Sequence, residues 1–358
     1  MTRTARSRKH RSFDLEARLE PVSAWVIRQP QDLRGRWASW GPRVPDAQAL
    51  TEAPPNLSRD APAAAGGIVP AASTAGEPTS AAPAAGRPVP RRAPEAALAG
   101  GPRRIAETGS PKRPVYVDLG CGKGSFLAAM AQRADDALWL GIDAEPVCCM
   151  HAAENLARIS APNAGALLDA DPDLSQLFAP HEVSGLYLNF PTPFPQRKKA
   201  PLRTVHYDRL RAYRTALKET GTLHLRTDSP FLFRYATDQL LMAGFDLLWS
   251  REGDEPREEL PRELSPLLHH HLPETEYERK LRQRGARVLE LVARPSAADP
   301  EPPSRADVEK RANISLFDLL PDDLDQLDYV PLGMEGAVEN LRNRRLRALR
   351  AGRGVANV

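Results

Sequence analysis

Seven residues, Asp118-Leu-Gly-Cys-Gly-Lys-Gly124, carry the sharpest chemical signal in the chain. Glycines at 120, 122 and 124 permit a tight turn and let a ligand come close to the backbone. A glycine triplet alone is weak, because dinucleotide-binding folds use a related loop. The acid in front of the glycines changes the reading: Asp118 repels the phosphate such folds hold there and attracts a cationic amine. Asp143 follows about 20 residues later, where a carboxylate commonly holds ribose hydroxyls. Asp169 comes after a third strand, placed to accept from an adenine amine. Singly, each acid is a helix cap or a turn residue. Jointly, with the loop, they point to S-adenosylmethionine as the cofactor.

A second constellation is Asn189-Phe-Pro-Thr-Pro-Phe-Pro-Gln-Arg-Lys-Lys199, followed by Arg203 and His206. Three prolines stiffen the loop, and the cations suit a phosphate-bearing substrate. The bland alternative is a stiff turn with a solvated charge run. His269-His270-His271 does not read as a metal site, since successive side chains cannot converge on one ion and no ligand spacing supports them; no metal is expected. Cys121, Cys148 and Cys149 form no CxxC pair. Cys148 and Cys149 read as helix positions packing on a sheet, and a reducing cytoplasm fits.

These residues need a scaffold, and from Pro114 the sequence supplies one. VYVDLG (115–120), LWLGID (138–143), GALLDAD (165–171), GLYLNF (185–190), TLHLRTD (222–228), FDLLWS (245–250) and ARVLELVAR (286–294) read as strands. Between them, 125–134, 145–158, 207–219 (stopped by Gly221) and 230–244 read as helices. Alternation of this kind implies a mostly parallel sheet covered on both faces. The fold class is α/β: a Rossmann-like S-adenosylmethionine-dependent methyltransferase fold with seven strands, the last antiparallel.

Outside this domain the texture differs. Residues 1–40 combine a basic arm with a short apolar segment expected to dock on the core. Much of the proline, 35 residues in all, falls in an Ala/Pro/Gly-rich linker over 41–113, expected to stay disordered. The methyltransferase domain spans 114–295, a linker 296–306, and a basic extension, read as helical, 307–358. The net charge is only +3, but residues 1–12 carry five Lys/Arg and no acid, and 340–354 are basic without an acid. No run reaches the roughly 18 apolar residues a membrane span needs.

The blocks DLGCGKG, NFPTPFPQRKK, RTD (226–228) and TEYE (275–278) occur in an order that resembles the bacterial tRNA (guanine-N7)-methyltransferase family. The resemblance covers roughly Pro114 to Pro295. It implies methyl transfer from S-adenosylmethionine to N7 of the guanine in the tRNA variable loop, with tRNA as partner. It places Asp118, Gly120, Gly122, Gly124, Asp143, Asp169 and Thr192 at the cofactor. It places Gln196, Arg197, Lys198, Lys199, Asp228, Thr275, Glu276, Tyr277 and Glu278 at the substrate, with Asp228 and Thr192 in the catalytic roles. The chain departs from the family in the proline loop, where Thr192 replaces an acid, Gln196 a lysine and Phe194 a tryptophan. N7 of guanine already has an available lone pair, so its methylation needs no proton removed first and the missing acid need not end catalysis. A cofactor-binding pseudoenzyme or RNA-binding subunit is the alternative that those departures leave open; a small-molecule methyltransferase fits the loop cations and the TEYE block less well.

Overall fold

A computed structural model describes residues 15–42, 113–252, 272–298, 300–324, 327, 329–331 and 333–350. The basic arm 1–12, nearly all of the 41–113 linker, the three histidines 269–271 and the chain end from 351 lie outside the described residues.

The chain opens with α1 (Leu15–Leu19) and three 3-10 turns (Glu20–Trp25, Pro30–Leu33, Trp37–Ser39). The alternating region then runs β1 (Val115–Leu119), α2 (Ser125–Arg133), β2 (Leu138–Asp143), α3 (Pro146–Arg158), β3 (Ala164–Leu168), α4 (Leu174–Leu177) and β4 (Val183–Asn189). It continues with α5 (Tyr207–Ala216), β5 (Leu217–Thr227), α6 (Pro230–Met242), β6 (Phe245–Glu252), α7 (Glu276–Arg282) and β7 (Leu289–Pro295). Two further helices, α8 (Arg305–Arg311) and α9 (Glu335–Arg350), close the described chain.

The seven strands order as β3-β2-β1-β4-β5-β7-β6. Strands β1 to β5 pair in parallel, whereas β7 is antiparallel to both β5 and β6. The alternation of side chains along β1 explains why it is buried throughout. Val115, Val117 and Leu119 join Leu140, Leu186, Leu210 and Leu240 on the face covered by α5 and α6. Tyr116 points the other way, stacks on Trp139 with ring centroids 4.7 Å apart, and packs with Phe126 of α2 and Leu156 of α3. Strands buried on both faces must be apolar on both, as parallel sheets demand. From β1 the connections run one way to β2 and β3, whereas β4 and β5 lie on its other side. The carboxyl ends of β1 and β4 therefore flank the switch point where open α/β sheets bind ligands.

The N-terminal segment packs on the β3 edge. Ile27 N–H donates to Ala166 O at 2.8 Å, and Val26 bridges Ala166 in parallel. The indole N–H groups of Trp25 and Trp37 donate to Ala161 O and Leu177 O, at 2.8 and 2.9 Å. Both rings are fully buried. Covering this edge removes a row of backbone groups open to mispairing. At the other end, Ala312, Leu316, Met334 and Val338 are buried in the same cluster as α6. No described helix is long and apolar enough to cross a membrane.

The third strand ends at Leu168 rather than 171, the last begins at Leu289 rather than 286, and α4 and α7 had no counterpart in the sequence reading; the largest departure is at α5. The helix expected over 207–219 ends at Ala216, and β5 begins at Leu217 rather than 222. Leu217 pairs with Val183 at the start of β4 and is 1% exposed. Its burial in the sheet outweighs the helix propensity of Leu-Lys-Glu, so Gly221 lies inside an irregular strand instead of stopping a helix.

Replacing Trp37 by Ala empties a fully buried site and orphans Leu177 O. The expected loss is roughly 3–5 kcal/mol, read as a lower urea midpoint; an unchanged midpoint would show that the segment is not part of the folded core.

Candidate active site

The loop after β1 is built around its glycines. Gly120, Gly122 and Gly124 have φ of 79°, 54° and 73°, in the left-handed region. At Gly124 a Cβ would come within 2.7 Å of Ala152 Cβ, so the glycine lets α2 close onto α3. At Gly120 and Gly122 a Cβ would meet nothing within 4 Å, because both face open space. Asp143 at the end of β2 pins the loop: its Oδ2 accepts from Gly122 N–H at 2.7 Å and its Oδ1 from Glu145 N–H at 2.9 Å. Asp169 N–H donates to Asp143 O at 3.0 Å, which brings the ends of β2 and β3 side by side.

Asp118 is 1% exposed. Asn189 Nδ2, from the end of β4, donates to its Oδ1 at 3.0 Å and ties the two strand ends across the switch point. Burial pushes the Asp118 carboxyl up to about 7; the Asn189 bond opposes this, Asp143 adds to it and Arg226 opposes it.

The loop after β4 is held from inside. Phe190 and Phe194 take φ of 52° and 41°, strained for residues with side chains. Phe190 N–H donates to Arg226 O at 2.7 Å, and its ring lies against Tyr277 and 5.5 Å from the Arg226 guanidinium. Arg203, fully buried, donates to the carbonyls of Pro193, Phe194 and Pro195 and to that of Ile314 in the extension. Arg226 itself is buried and paired with Glu278 and Glu290. Glu278 also receives Arg282, and Thr275 Oγ1 caps α7 by accepting from Glu278 N–H at 2.9 Å.

Between the two loops and the start of α7 lies a cavity of about 380 Å³, a usual size for a small-molecule site. Of the residues singled out from sequence, Asp118, Gly120, Gly122 and Thr192 line it, with Thr275, Glu276 and Tyr277 from α7. Gly124, Asp143 and Asp169 do not line it; they stand behind or beside the loop. Gln196, Arg197, Lys198 and Lys199 are exposed, outside the cavity, and Arg197 reaches Glu309 at 3.5 Å. Asp228 is 8% exposed and its Oδ2 accepts from Tyr329 Oη at 2.7 Å. It is not the cap of α6; Ser229 is, accepting from Leu232 N–H.

Several expectations need correction. Arg203 does not reach phosphate, because it is spent on four carbonyls. His206 is 2% exposed, caps α5 and faces Asn313. Glu278 is turned away from the cavity into a buried ion-pair network, since α7 carries it on the face opposite Tyr277. Cys148 is half-exposed and lines the cavity, whereas Cys149 packs as expected. Asn189 and Arg226 were in the quoted motifs but drew no role; Lys123, Phe190 and Lys280 also line the cavity. Among the described residues no group of His, Cys, Asp and Glu is arranged to hold a metal ion.

The family described as putative methyltransferase matches residues 112–291, half of the chain. A tRNA (guanine-N7)-methyltransferase of Geobacillus thermodenitrificans is 31% identical over 181 residues, 51% of this chain and 79% of that protein. One of Geobacillus kaustophilus is 32% identical, with the same two shares. One of Brevibacillus brevis is 29% identical over 185 residues, 50% of this chain and 80% of that protein.

Asp118 makes the stability depend on pH in a definite direction. Its carboxyl ionises at about 7 when folded and near its ordinary 3.8 when unfolded. Between those values the folded protein holds a proton that the unfolded chain has released. Rising pH therefore costs stability across that window, by at most about 1.4 kcal/mol per pH unit, and the cost is complete above pH 7. Asp118→Asn should flatten this fall while keeping an acceptor for Asn189. The check is the urea midpoint of both proteins from pH 5 to 8; parallel curves would show that Asp118 ionises normally.

Proposed function

Because the chain belongs to the tRNA (guanine-N7)-methyltransferase family, we propose that it transfers a methyl group from S-adenosylmethionine to N7 of a guanine in the variable loop of tRNA. The observation that carries this reading at the site is the water-excluded carboxylate of Asp118 beside a glycine cradle at the switch point.

The residues present suit the cofactor. Asp118 offers a buried anion with a single hydrogen-bonded donor on Oδ1, matched to an ammonium group. Gly120 and Gly122 leave open the space a Cβ would fill. We assign the ribose hydroxyls to Asp143, whose oxygens each use one lone pair on a backbone N–H and keep another. The adenine amine goes to Asp169, placed next to Asp143 by the pairing of β2 with β3. Bound S-adenosylmethionine supplies an electrophilic methyl group on a cationic sulfur.

Guanine N7 needs no general base, so the work of the protein is orientation and charge. Asp228 is assigned the N1–H and exocyclic amine of guanine, a pairing that also offsets the positive charge the base acquires. Asp228 does not line the cavity; Tyr277 does. Burial first, then the carboxylates of Asp228 and Glu335, push its hydroxyl up to about 12, so it stays a neutral donor. Its ring and that of Phe190 form an aromatic surface suited to an unstacked purine. Thr192, exposed at the cavity rim, keeps a hydroxyl where the family has an acid. Arg197, Lys198 and Lys199 point outward, suited to sequence-independent contact with the tRNA backbone.

Purified protein incubated with the cofactor and unmodified tRNA should yield 7-methylguanosine on nuclease digestion and mass spectrometry. Asp228→Asn should lower turnover by about 100-fold or more while leaving cofactor affinity within about twofold. Cofactor binding without any 7-methylguanosine would favour the pseudoenzyme reading; full turnover in the variant would remove Asp228 from the guanine.

An ammonium beside Asp118 must pull its carboxyl back down, so cofactor binding releases a proton below about pH 7. Affinity should weaken as pH falls from 8 to 5, by up to about tenfold per unit below 7. Calorimetry in buffers of different ionisation enthalpy reads the proton directly; no release at pH 6 would separate the ammonium from Asp118.

A further inference from the structure

The region shared with the family ends at 291, yet the site does not end there. Residues 305–350 are bolted to it by side chains that the methyltransferase domain could have used elsewhere. Arg203 joins the proline-loop carbonyls to Ile314 O with one buried guanidinium. Leu316 N–H donates to Pro195 O at 2.8 Å, and Tyr235 Oη donates to Ala312 O at 2.8 Å. Gln239 Nε2 reaches Arg311 O, and His206 faces Asn313. The chain is buried at Leu316, again at Leu324, and again at Met334. Tyr329 lies between the last two, half-buried, and its hydroxyl donates to Asp228 Oδ2 at 2.7 Å.

We propose that Tyr329 is a substrate-positioning residue: the extension places its phenol on Asp228 so that the carboxylate is held in the orientation that meets the guanine edge. This rests on the assignment of Asp228 to guanine made above. A lone Asp side chain rotates about two bonds, and a misplaced carboxylate loses both bonds to a purine edge at once. One phenol O–H on Oδ2 restrains that rotation. A carboxylate accepts about four hydrogen bonds, so the phenol and a purine edge with two donors can share it. Burial first, and then its bond to Asp228, raise the Tyr329 hydroxyl well above its ordinary value, so it donates throughout the neutral range. The extension thus supports the guanine site from behind Asp228 rather than standing as a separate appendage. Tyr329 acts through Asp228 and does not touch the reacting atoms.

The test is Tyr329→Phe in the full chain, which keeps the ring and removes only the hydroxyl. With wild-type protein making 7-methylguanosine, kcat on tRNA should fall by about tenfold, the size of one hydrogen bond to a charged group. KM for tRNA, cofactor affinity and the urea midpoint should each stay within about twofold, which a merely structural role would not allow. In an Asp228→Asn background, measured under single-turnover conditions, the same substitution should cost nothing further. An unchanged kcat in Tyr329→Phe, with Asp228→Asn impaired, overturns this proposal and leaves the guanine assignment standing. A raised kcat also overturns it, because the hydroxyl would then be occupying the place of the base. Full turnover in Asp228→Asn overturns both.

Discussion

A carboxylate held out of water between two diverging strands is the constraint on which the rest of the molecule turns. Asp118 lies in β1 two residues after Tyr116, and so on the same face of the sheet as that buried ring. Burying a charge without a full counter-charge costs several kcal/mol, and a single amide from Asn189 does not offset that. The chain answers by leaving the carboxyl poised near neutrality. Such a group is a poor choice for stability and a good one for receiving a cation, which is why perturbed acids in clefts point to function. The surrounding geometry follows from keeping that acid beside an open cradle. Gly124 draws α2 against α3, Asp143 pins Gly122, and Asn189 ties the end of β4 to the end of β1.

Two arginines do the work behind the cavity. Arg226 is buried under Phe190 and pairs with Glu278 and Glu290, and Arg251 reaches the same Glu290 at 3.1 Å. This network fixes α7 from below, so Tyr277 meets Phe190 edge to face, with ring centroids 5.7 Å apart, on the cavity lining. Arg203 does the corresponding work for the proline loop, whose positive φ at Phe194 is tolerable only because its carbonyl is held. Removing one member of a buried pair strands the other charge, so these clusters fix geometry more than they add net stability. Cations beside a substrate loop invite a phosphate reading. Here burial divides them: Arg203 turns inward, and Lys198 and Lys199 turn outward.

The sheet was legible in the sequence because its signal is local. VYVDL and LWLGID carry their own periodicity, and the glycine loop carries its own backbone geometry. The end of α5 was not, because Leu217 chooses the sheet through pairing with Val183, which no window of neighbouring residues contains. Glu278 reads as a site acid by its place in TEYE, but its direction depends on where α7 meets Arg226. Asp228 and Ser229 are adjacent candidates for one helix cap, and only the backbone decides that Ser229 takes it. Tyr329 was invisible for the plainest reason: its partner lies 101 residues away, across a contact that no motif announces.

The resemblance implies an acid where this chain has Thr192, and the demands of the reaction bear on that difference. A nucleophile with its own lone pair needs no proton taken from it, so the loop after β4 is relieved of any duty as a base. What it cannot be relieved of is shape, and shape is what Arg203 and the carbonyl contacts from Ile314 and Leu316 preserve. Orientation of a purine can be enforced from any wall that reaches it, whereas proton transfer must come from one point. A site that depends on orientation can therefore be completed from outside the matched region, as proposed for the Asp228–Tyr329 bond. The freedom to place those contacts in any wall follows from the electronic structure of guanine N7.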